Sequence, residues 1–66
     1  MDKQYMVEMC WEDGRPEPED FEWYHATVKE AITWAREYAS KTGAGFFTVL
    51  YVFDGGHYRT KYSEVL

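Results

Sequence analysis

Residues 46–65 read FFTVLYVFDGGHYRTKYSEV, and this stretch decides the fold. Its first part is almost continuously apolar, β-branched or aromatic, which is typical of a central strand covered on much of both faces. The Asp-Gly-Gly sequence at 54–56 tolerates positive φ angles and predicts a tight turn. After the turn, Tyr58, Thr60 and Tyr62 alternate with polar and charged residues. The pattern therefore predicts a β-hairpin whose second strand returns beside the first.

A helix is predicted immediately before this hairpin. Thr27 and Glu30 have the spacing of a capping box, in which the threonine hydroxyl accepts from the glutamate amide and the carboxylate reaches back to the threonine amide. Gly43 is a natural stop, so the helix is expected to run to about residue 41. Trp34 lies at the edge of its apolar stripe and is not explained by it. The stripe consists of Val28, Ala31, Ile32, Ala35, Tyr38 and Ala39.

Two more strands are predicted before the helix. Residues 4–11 alternate with a period of two, and 21–25 alternate again. The segment between them, 13–20, contains one glycine and two prolines, which break both helices and strands. The order β-β-α-β-β predicts an α+β fold, a four-stranded antiparallel sheet with one helix packed on one face. We expect the 46–53 strand to take a central position. One side of the first strand carries Tyr5, Val7, Met9 and Trp11.

The composition indicates one small folded domain, residues 1–66. A chain of 66 residues has no room for a second domain, and its 20% aromatic content supplies a core. Cys10 is the only cysteine, so no intrachain disulfide is expected. The sequence shows no signal peptide and no apolar run long enough for a membrane span. We therefore expect a cytoplasmic protein, in a bacterial host cell, with no membrane partner.

The negative charge is concentrated in one segment, residues 12–22, called the acidic loop below. The net charge of the chain is -5, and the segment alone accounts for all of it because its acids are opposed only by Arg15. Opposite charges steer association and aromatic anchors carry interface energy, so the loop is a candidate site for a basic partner. The alternative is a solvated hairpin loop whose neighbouring aromatic residues fill the core. The acidic residues are Glu12, Asp13, Glu17, Glu19, Asp20 and Glu22, and the aromatic residues at the borders are Trp11, Phe21, Trp23 and Tyr24.

Catalysis and metal binding are not expected. Cys10, His25 and His57 are the only thiol and imidazole groups, and their spacing matches no metal motif. A Cys-His catalytic pair would lack an identifiable orienting group, and so small a fold has little room for a substrate cleft. The two short glycine segments are explained as a helix stop and a hairpin turn rather than as phosphate loops. No catalytic residue, metal or cofactor is assigned, and a small hydrolase is the least favoured function.

The sheet offers a second candidate surface. Only one face is covered by the helix, so either Phe46 or Phe47 must point to the other face, together with neighbours such as Tyr24 or Leu50. Exposed rings there would form an apolar patch. The alternative function is therefore a structural or regulatory module that forms a homodimer through this face.

The strand-strand-helix-strand-strand layout, the capped helix, the Asp-Gly-Gly hairpin and the concentrated acidity resemble several small phage-encoded anti-CRISPR proteins. The resemblance covers the whole chain as a layout, and no functional residue is carried over from it. It implies a stoichiometric inhibitor that occupies a CRISPR effector complex without binding nucleic acid itself. The acidic loop would then cover a basic DNA-binding groove by imitating phosphate charge, while Trp11, Trp23 and Tyr24 supply contact area. Arg15 departs from a pure phosphate mimic.

Overall fold

The computed structural model describes residues 3–66 and contains one antiparallel sheet and one helix. The strands lie in the order β2-β1-β3-β4, and α1 packs on one face of the sheet. The predicted β-β-α-β-β layout is confirmed, as is the central position of the 46–53 strand. The elements are β1 (Tyr5–Cys10), β2 (Tyr24–His25), α1 (Val28–Thr42), β3 (Phe46–Phe53) and β4 (His57–Val65).

Both ends of α1 are capped at the predicted residues, although the return bond from the Thr27 amide to the Glu30 carboxylate does not form. Thr27 has extended backbone angles, and its hydroxyl accepts from the Glu30 amide at 3.1 Å. Gly43 adopts the left-handed conformation with a φ of 82°, and its amide donates to the Ala39 carbonyl at 2.7 Å. A residue with a Cβ is strained in this conformation, so glycine ends the helix there.

The core lies between α1 and the covered face of the sheet. Val7, Phe47 and Val49 are completely buried. The helix presents two small residues, Ala31 and Ala35, at the centre of this contact, and both are also completely buried. Small side chains let the helix approach the sheet closely, so the large side chains of β1 and β3 fill the space between the layers.

The second strand is shorter than predicted. The alternation of 21–25 indicates five strand residues, but only Tyr24 and His25 pair with β1. The Phe21 amide donates to the Pro18 carbonyl at 3.1 Å, which forms a turn just before the strand. That turn directs Phe21 toward the helix instead of along the edge of β1.

A β-bulge interrupts β4. Val49 pairs with Tyr62 and the next residue of β3, Leu50, pairs with Thr60, so Lys61 is an extra residue in β4. The predicted alternation puts Tyr58, Thr60 and Tyr62 on one face, and this is wrong for Tyr62. The bulge moves Tyr62 to the helix side, where its ring lies 6.1 Å from that of Phe47. The rings of Tyr58 and Tyr62 therefore lie on opposite faces.

Candidate binding site in the acidic loop

The acidic loop leaves the end of β1 through a tight turn that contains its one cation. Gly14, with a φ of 74°, donates its amide to the Trp11 carbonyl at 3.0 Å. Arg15 then folds back on Asp13, with its Nη2 atom 3.1 Å from Oδ2. Hydrogen bonds from Arg15 lower the pKa of Asp13 below its usual value. Arg15 therefore neutralises one specific carboxylate of the loop and leaves the others.

The far end of the loop is tied to the helix by a second carboxylate. The Tyr38 hydroxyl donates to Oδ1 of Asp20 at 2.7 Å. Because the carboxylate accepts from the protonated phenol, this bond raises the pKa of Tyr38 to about 12. Asp20 remains exposed, so the contact fixes its position without removing it from solvent.

An aromatic cluster anchors the loop beneath these carboxylates. Phe21 is 6% exposed and makes edge contacts with Trp23 and Trp34 at 4.9 Å and with Tyr38 at 5.5 Å, measured between ring centroids. Trp34 also stacks on Tyr38 at 4.7 Å. The position of Trp34, which the helical stripe leaves unexplained, follows from this cluster. Trp34 and Tyr38 are four residues apart on one helix, and that spacing is the sequence signal for the pair.

A buried histidine closes the loop where it enters β2. His25 is 6% exposed, and its ring lies 5.2 Å from that of Trp34. Its Nε2 lies 2.9 Å from the Glu22 carbonyl oxygen. A carbonyl oxygen can only accept, so Nε2 carries the proton and donates. The histidine thus has a structural role at the end of the loop.

The structure brings the charged residues of the predicted site together on one exposed segment. Of the six carboxylates, only Glu17 is half-buried, and the others are exposed. Trp23 is 39% exposed and Tyr24 is 48% exposed. Tyr24 pairs with Met6 on the face opposite α1, whereas Trp23 leans on Phe21.

Trp11, predicted as a contact residue, is mostly buried in the folded chain. Its side chain is 5% exposed, and its Nε1 donates to Oγ1 of Thr42 at 3.0 Å. The ring fills the junction between the end of β1 and the end of α1. Its remaining exposed surface is small and lies at a groove beside Glu12.

The open face of the sheet, opposite α1, offers less apolar surface than the sequence suggests. Phe46 points to this face and is half-buried, while Phe47 belongs to the core. Leu50 also lies on the open face but is only 3% exposed. Tyr24, at 48%, is the most exposed of the residues predicted to form a dimer there.

The thiol and the imidazoles are not brought together. Cys10 pairs with Phe46 at one end of β1, and His25 pairs with Tyr5 at the other, so about 17 Å of strand separates them. His57 lies further out, opposite Phe53. Within residues 3–66 no three metal-ligating side chains cluster. No helix in the same range has the length and apolar character needed to cross a membrane.

A groove opens beside the start of the acidic loop, and the sequence does not predict it. It has a volume of about 580 Å³ and is lined by Glu12, Phe46, Val65 and Leu66 among others. The groove joins the end of β1, the helix stop and the end of β4, which are distant in sequence.

Comparison of the chain with protein-family models, with curated proteins and with solved structures finds no match.

Proposed function

We propose that this protein is a non-catalytic binding protein whose acidic loop docks on a basic surface of a partner macromolecule. The observation that carries the proposal is that the net negative charge of the whole chain lies on one segment, the acidic loop, which is anchored to the core. A loop that is held in shape pays less conformational entropy when it binds than one that must first be ordered. Electrostatic attraction between such a loop and a basic surface also accelerates encounter.

Most of the charge is supplied by residues that do not anchor the loop. Phe21, Tyr38 and Asp20 hold the loop, while Glu12, Glu19 and Glu22 are exposed. The field can therefore be altered by substitution without disturbing the anchor. This separation allows the proposal to be tested on a folded protein.

Contact area next to the charges comes from two places. Trp23 is exposed on the loop side, and the groove beside Glu12 is lined by apolar residues, including Phe46 and Val65. Aromatic and apolar contacts of this kind supply most of the energy of an interface, while the charges direct it. Trp11 is mostly buried and contributes only as part of the lining of this groove.

A CRISPR effector complex is the specific partner that we propose. Its DNA-binding channel is basic and accepts a phosphate backbone, and the loop offers exposed carboxylates in place of phosphates. The resemblance to small anti-CRISPR proteins in size, layout and local acidity supports this choice. On this proposal the protein competes with target DNA.

The test is displacement of fluorescently labelled target DNA from a purified, guide-loaded CRISPR effector. The loop variant carries Glu12→Gln, Glu17→Gln, Glu19→Gln and Glu22→Gln, which leaves the Asp13–Arg15 pair and the Asp20–Tyr38 bond intact. We expect the natural protein to displace the DNA and the loop variant to fail. Added salt should weaken the effect steeply because it screens the loop.

A matched control removes the same number of charges elsewhere. Glu8→Gln, Glu30→Gln, Glu37→Gln and Asp54→Asn alter residues that are exposed and lie outside the loop. This control should displace DNA as the natural protein does. If the control and the loop variant behave alike, net charge rather than the loop is responsible. If no effector responds to the natural protein, the proposed partner is wrong.

A further inference from the structure

We propose that β4 pairs in an antiparallel manner with β4 of a second copy of this chain. The two-fold axis would pass between Lys61 and Tyr62, and the two sheets would join into one of eight strands. The proposal concerns the edge of the sheet and does not use the carboxylates of the acidic loop, although Val65 of β4 also lines the groove beside Glu12.

The two edges of the sheet are unequal. β4 spans nine residues, His57–Val65, and is the last strand in the order, so it has only β3 as a neighbour. The other edge, β2, is only two residues long. An edge strand presents a row of unpaired backbone amides and carbonyls, and a long one is a template for another strand. β4 is therefore the edge at which a second sheet can be added.

The backbone of the first half of β4 points its hydrogen-bonding groups outward at defined residues. Val52 of β3 donates to the Gln4 carbonyl of the strand on its other side at 2.8 Å. Its partner on β4, Tyr58, is therefore in a pair without mutual hydrogen bonds. The amide and carbonyl of Tyr58 point away from β3, and those of Thr60 do the same because direction alternates along a strand.

In the second half of β4, the residues whose backbone groups point away from β3 have odd numbers instead of even ones. Leu66 donates its amide to the Gly45 carbonyl at 2.9 Å, so Leu66 faces β3. By alternation, Ser63 and Val65 point their backbone groups outward. The change from even to odd numbers follows from the extra residue, Lys61.

The bulge makes β4 complementary to itself. When Lys61 lies opposite Tyr62 of the second copy, the outward-facing Tyr58 meets Val65 of the second copy, and Thr60 meets Ser63 of the second copy. These pairs can exchange backbone hydrogen bonds. The side chains in each pair also lie on the same face of the joined sheet, because the bulge shifts side-chain direction and backbone direction together.

The side chains match in the same register. Tyr58 and Val65, which are 64% and 79% exposed, would cover each other on the open face. On the helix side, Arg59 would lie opposite Glu64 of the second copy. Glu64 already binds Arg36 at 2.9 Å, so its carboxylate would bridge two cations. Opposite charges and apolar pairs directly across a ladder both stabilise it.

Lys61 sets the strength of this pairing. Each copy places its Lys61 beside the axis, where the two ammonium groups repel each other. Lysine on an edge strand disfavours uncontrolled pairing, so it keeps the dimer reversible. Lys61→Thr is expected to shift the monomer-dimer equilibrium toward dimer.

The test uses disulfide cross-linking between two different variants, both carrying Cys10→Ser. One has Tyr58→Cys and the other Val65→Cys. Residues opposite each other on an antiparallel ladder have Cα atoms about 5.5 Å apart, which a disulfide can span. We expect the oxidised mixture to give a cross-linked heterodimer. The Tyr58→Cys variant alone should not cross-link, because its two cysteines would lie roughly 24 Å apart along the ladder.

Light scattering after size exclusion gives the independent readout. The natural protein should show twice the chain mass of 7.9 kDa at high concentration. Arg59→Glu should weaken the dimer, whereas the same charge change at exposed Lys29 should not. A monomer at every concentration would overturn the proposal. A dimer that neither cross-links in the mixture nor responds to Arg59→Glu would also overturn it and would place the contact on the open face.

Discussion

Phe21 is the residue on which the shape of the acidic loop depends most. It contacts aromatic rings from the end of β1, from the entry to β2 and from the helix. A single side chain thus links a charged, solvated segment to the core. Edge-to-face aromatic pairs depend on ring geometry, so an aliphatic replacement of similar polarity cannot reproduce them.

Phe21→Leu should therefore lower the free energy of unfolding by about 1–2 kcal/mol, because volume and ring contacts are lost in a buried site. Amide hydrogen exchange of the acidic loop should accelerate more than that of β3. Urea denaturation and exchange measured by nuclear magnetic resonance would check both effects. Unchanged exchange in the loop would mean that Phe21 does not anchor it.

Tyr38 provides a second, titratable anchor. Its bond to Asp20 raises its pKa from 10.0 to about 12. A folded-state pKa above the unfolded value means that the bond stabilises the protein below pH 10.0 and that this contribution is lost as the pH rises toward 12. Asp20→Asn should lower the pKa of Tyr38 and reduce that loss. Ultraviolet absorbance of tyrosinate, with Tyr38→Phe to identify the transition, measures the shift, and an unchanged titration in Asp20→Asn would contradict it.

For individual residues, the sequence predicts which segment carries the net charge better than it predicts which aromatic rings are in contact. The alternation of β1 already groups Trp11 with the core residues Val7 and Met9, and that pattern describes the structure better than its place at the border of the loop. Proximity to a charged segment does not decide whether a ring is buried. The packing of Trp34 could not be derived from the stripe, because its neighbours come from a loop without periodicity.

At the scale of the elements, the bulge in β4 has the largest consequence. It sends Tyr58 to the open face and Tyr62 to the core side. No glycine or proline lies at the bulge, and the alternation of residue types continues through it. The sequence alone therefore predicts a regular strand. The helix and the hairpin turn are predicted well because each carries local signals, the cap at Thr27 and the Asp-Gly-Gly at 54–56.

Deletion of Lys61 should be tolerated, because it removes the extra residue and leaves a regular alternating strand. The free energy of unfolding should change by less than about 1 kcal/mol. Deletion of Thr48 is the matched contrast, since it would turn Phe47 or Val49 out of the core. That loss should exceed the total stability of a domain of this size, on the order of 5 kcal/mol. Thermal unfolding by circular dichroism distinguishes the two, and equal damage from both deletions would contradict this description of β4.

The helix is also tied to the edge strand by a polar contact that responds to acid. Hydrogen bonds from Arg36, and then from Tyr62, lower the pKa of Glu64 below its ordinary value of 4.5. A lowered pKa means that the contact stabilises the fold above pH 4.5 and that this contribution is lost as the pH falls through the folded-state value.

Glu64→Gln should therefore be less stable than the natural protein at neutral pH, and the difference should shrink in acid. Glu37→Gln, at an exposed position on the helix, serves as the control and should show little difference at either pH. Urea midpoints at the two pH values provide the measurement. A difference that persists unchanged in acid would show that the ionised contact is not the cause.

At the scale of the whole molecule, the acidic loop and the long open edge lie at different places on the surface. The loop connects β1 to β2, at the other edge of the sheet from β4, and only its start at Glu12 comes near the end of β4. A dimer formed through β4 would leave the carboxylates of both acidic loops exposed, while Val65, which lines the groove beside Glu12, would lie in the contact between the copies. One molecule could then present two charged sites, which raises avidity for a partner with repeated basic surfaces.

The layout of the whole chain could be predicted because its strands and its helix are separated by clear breaks. The groove beside Glu12 could not, because it depends on how three distant segments meet. The same holds for the self-complementary edge, which exists only in the register that the bulge creates. Features that arise from one segment are visible in the sequence, and features that arise from the meeting of several are not.

The most direct test of the binding function is affinity capture from nuclease-treated bacterial lysate, with three tagged proteins side by side. These are the natural chain, the loop variant with Glu12, Glu17, Glu19 and Glu22 changed to glutamine, and the control with four charges removed elsewhere. We predict that a nucleic-acid-binding complex is retained by the natural chain and by the control, and is lost from the loop variant. Retention of the same complex by all three proteins would contradict a binding role for the acidic loop.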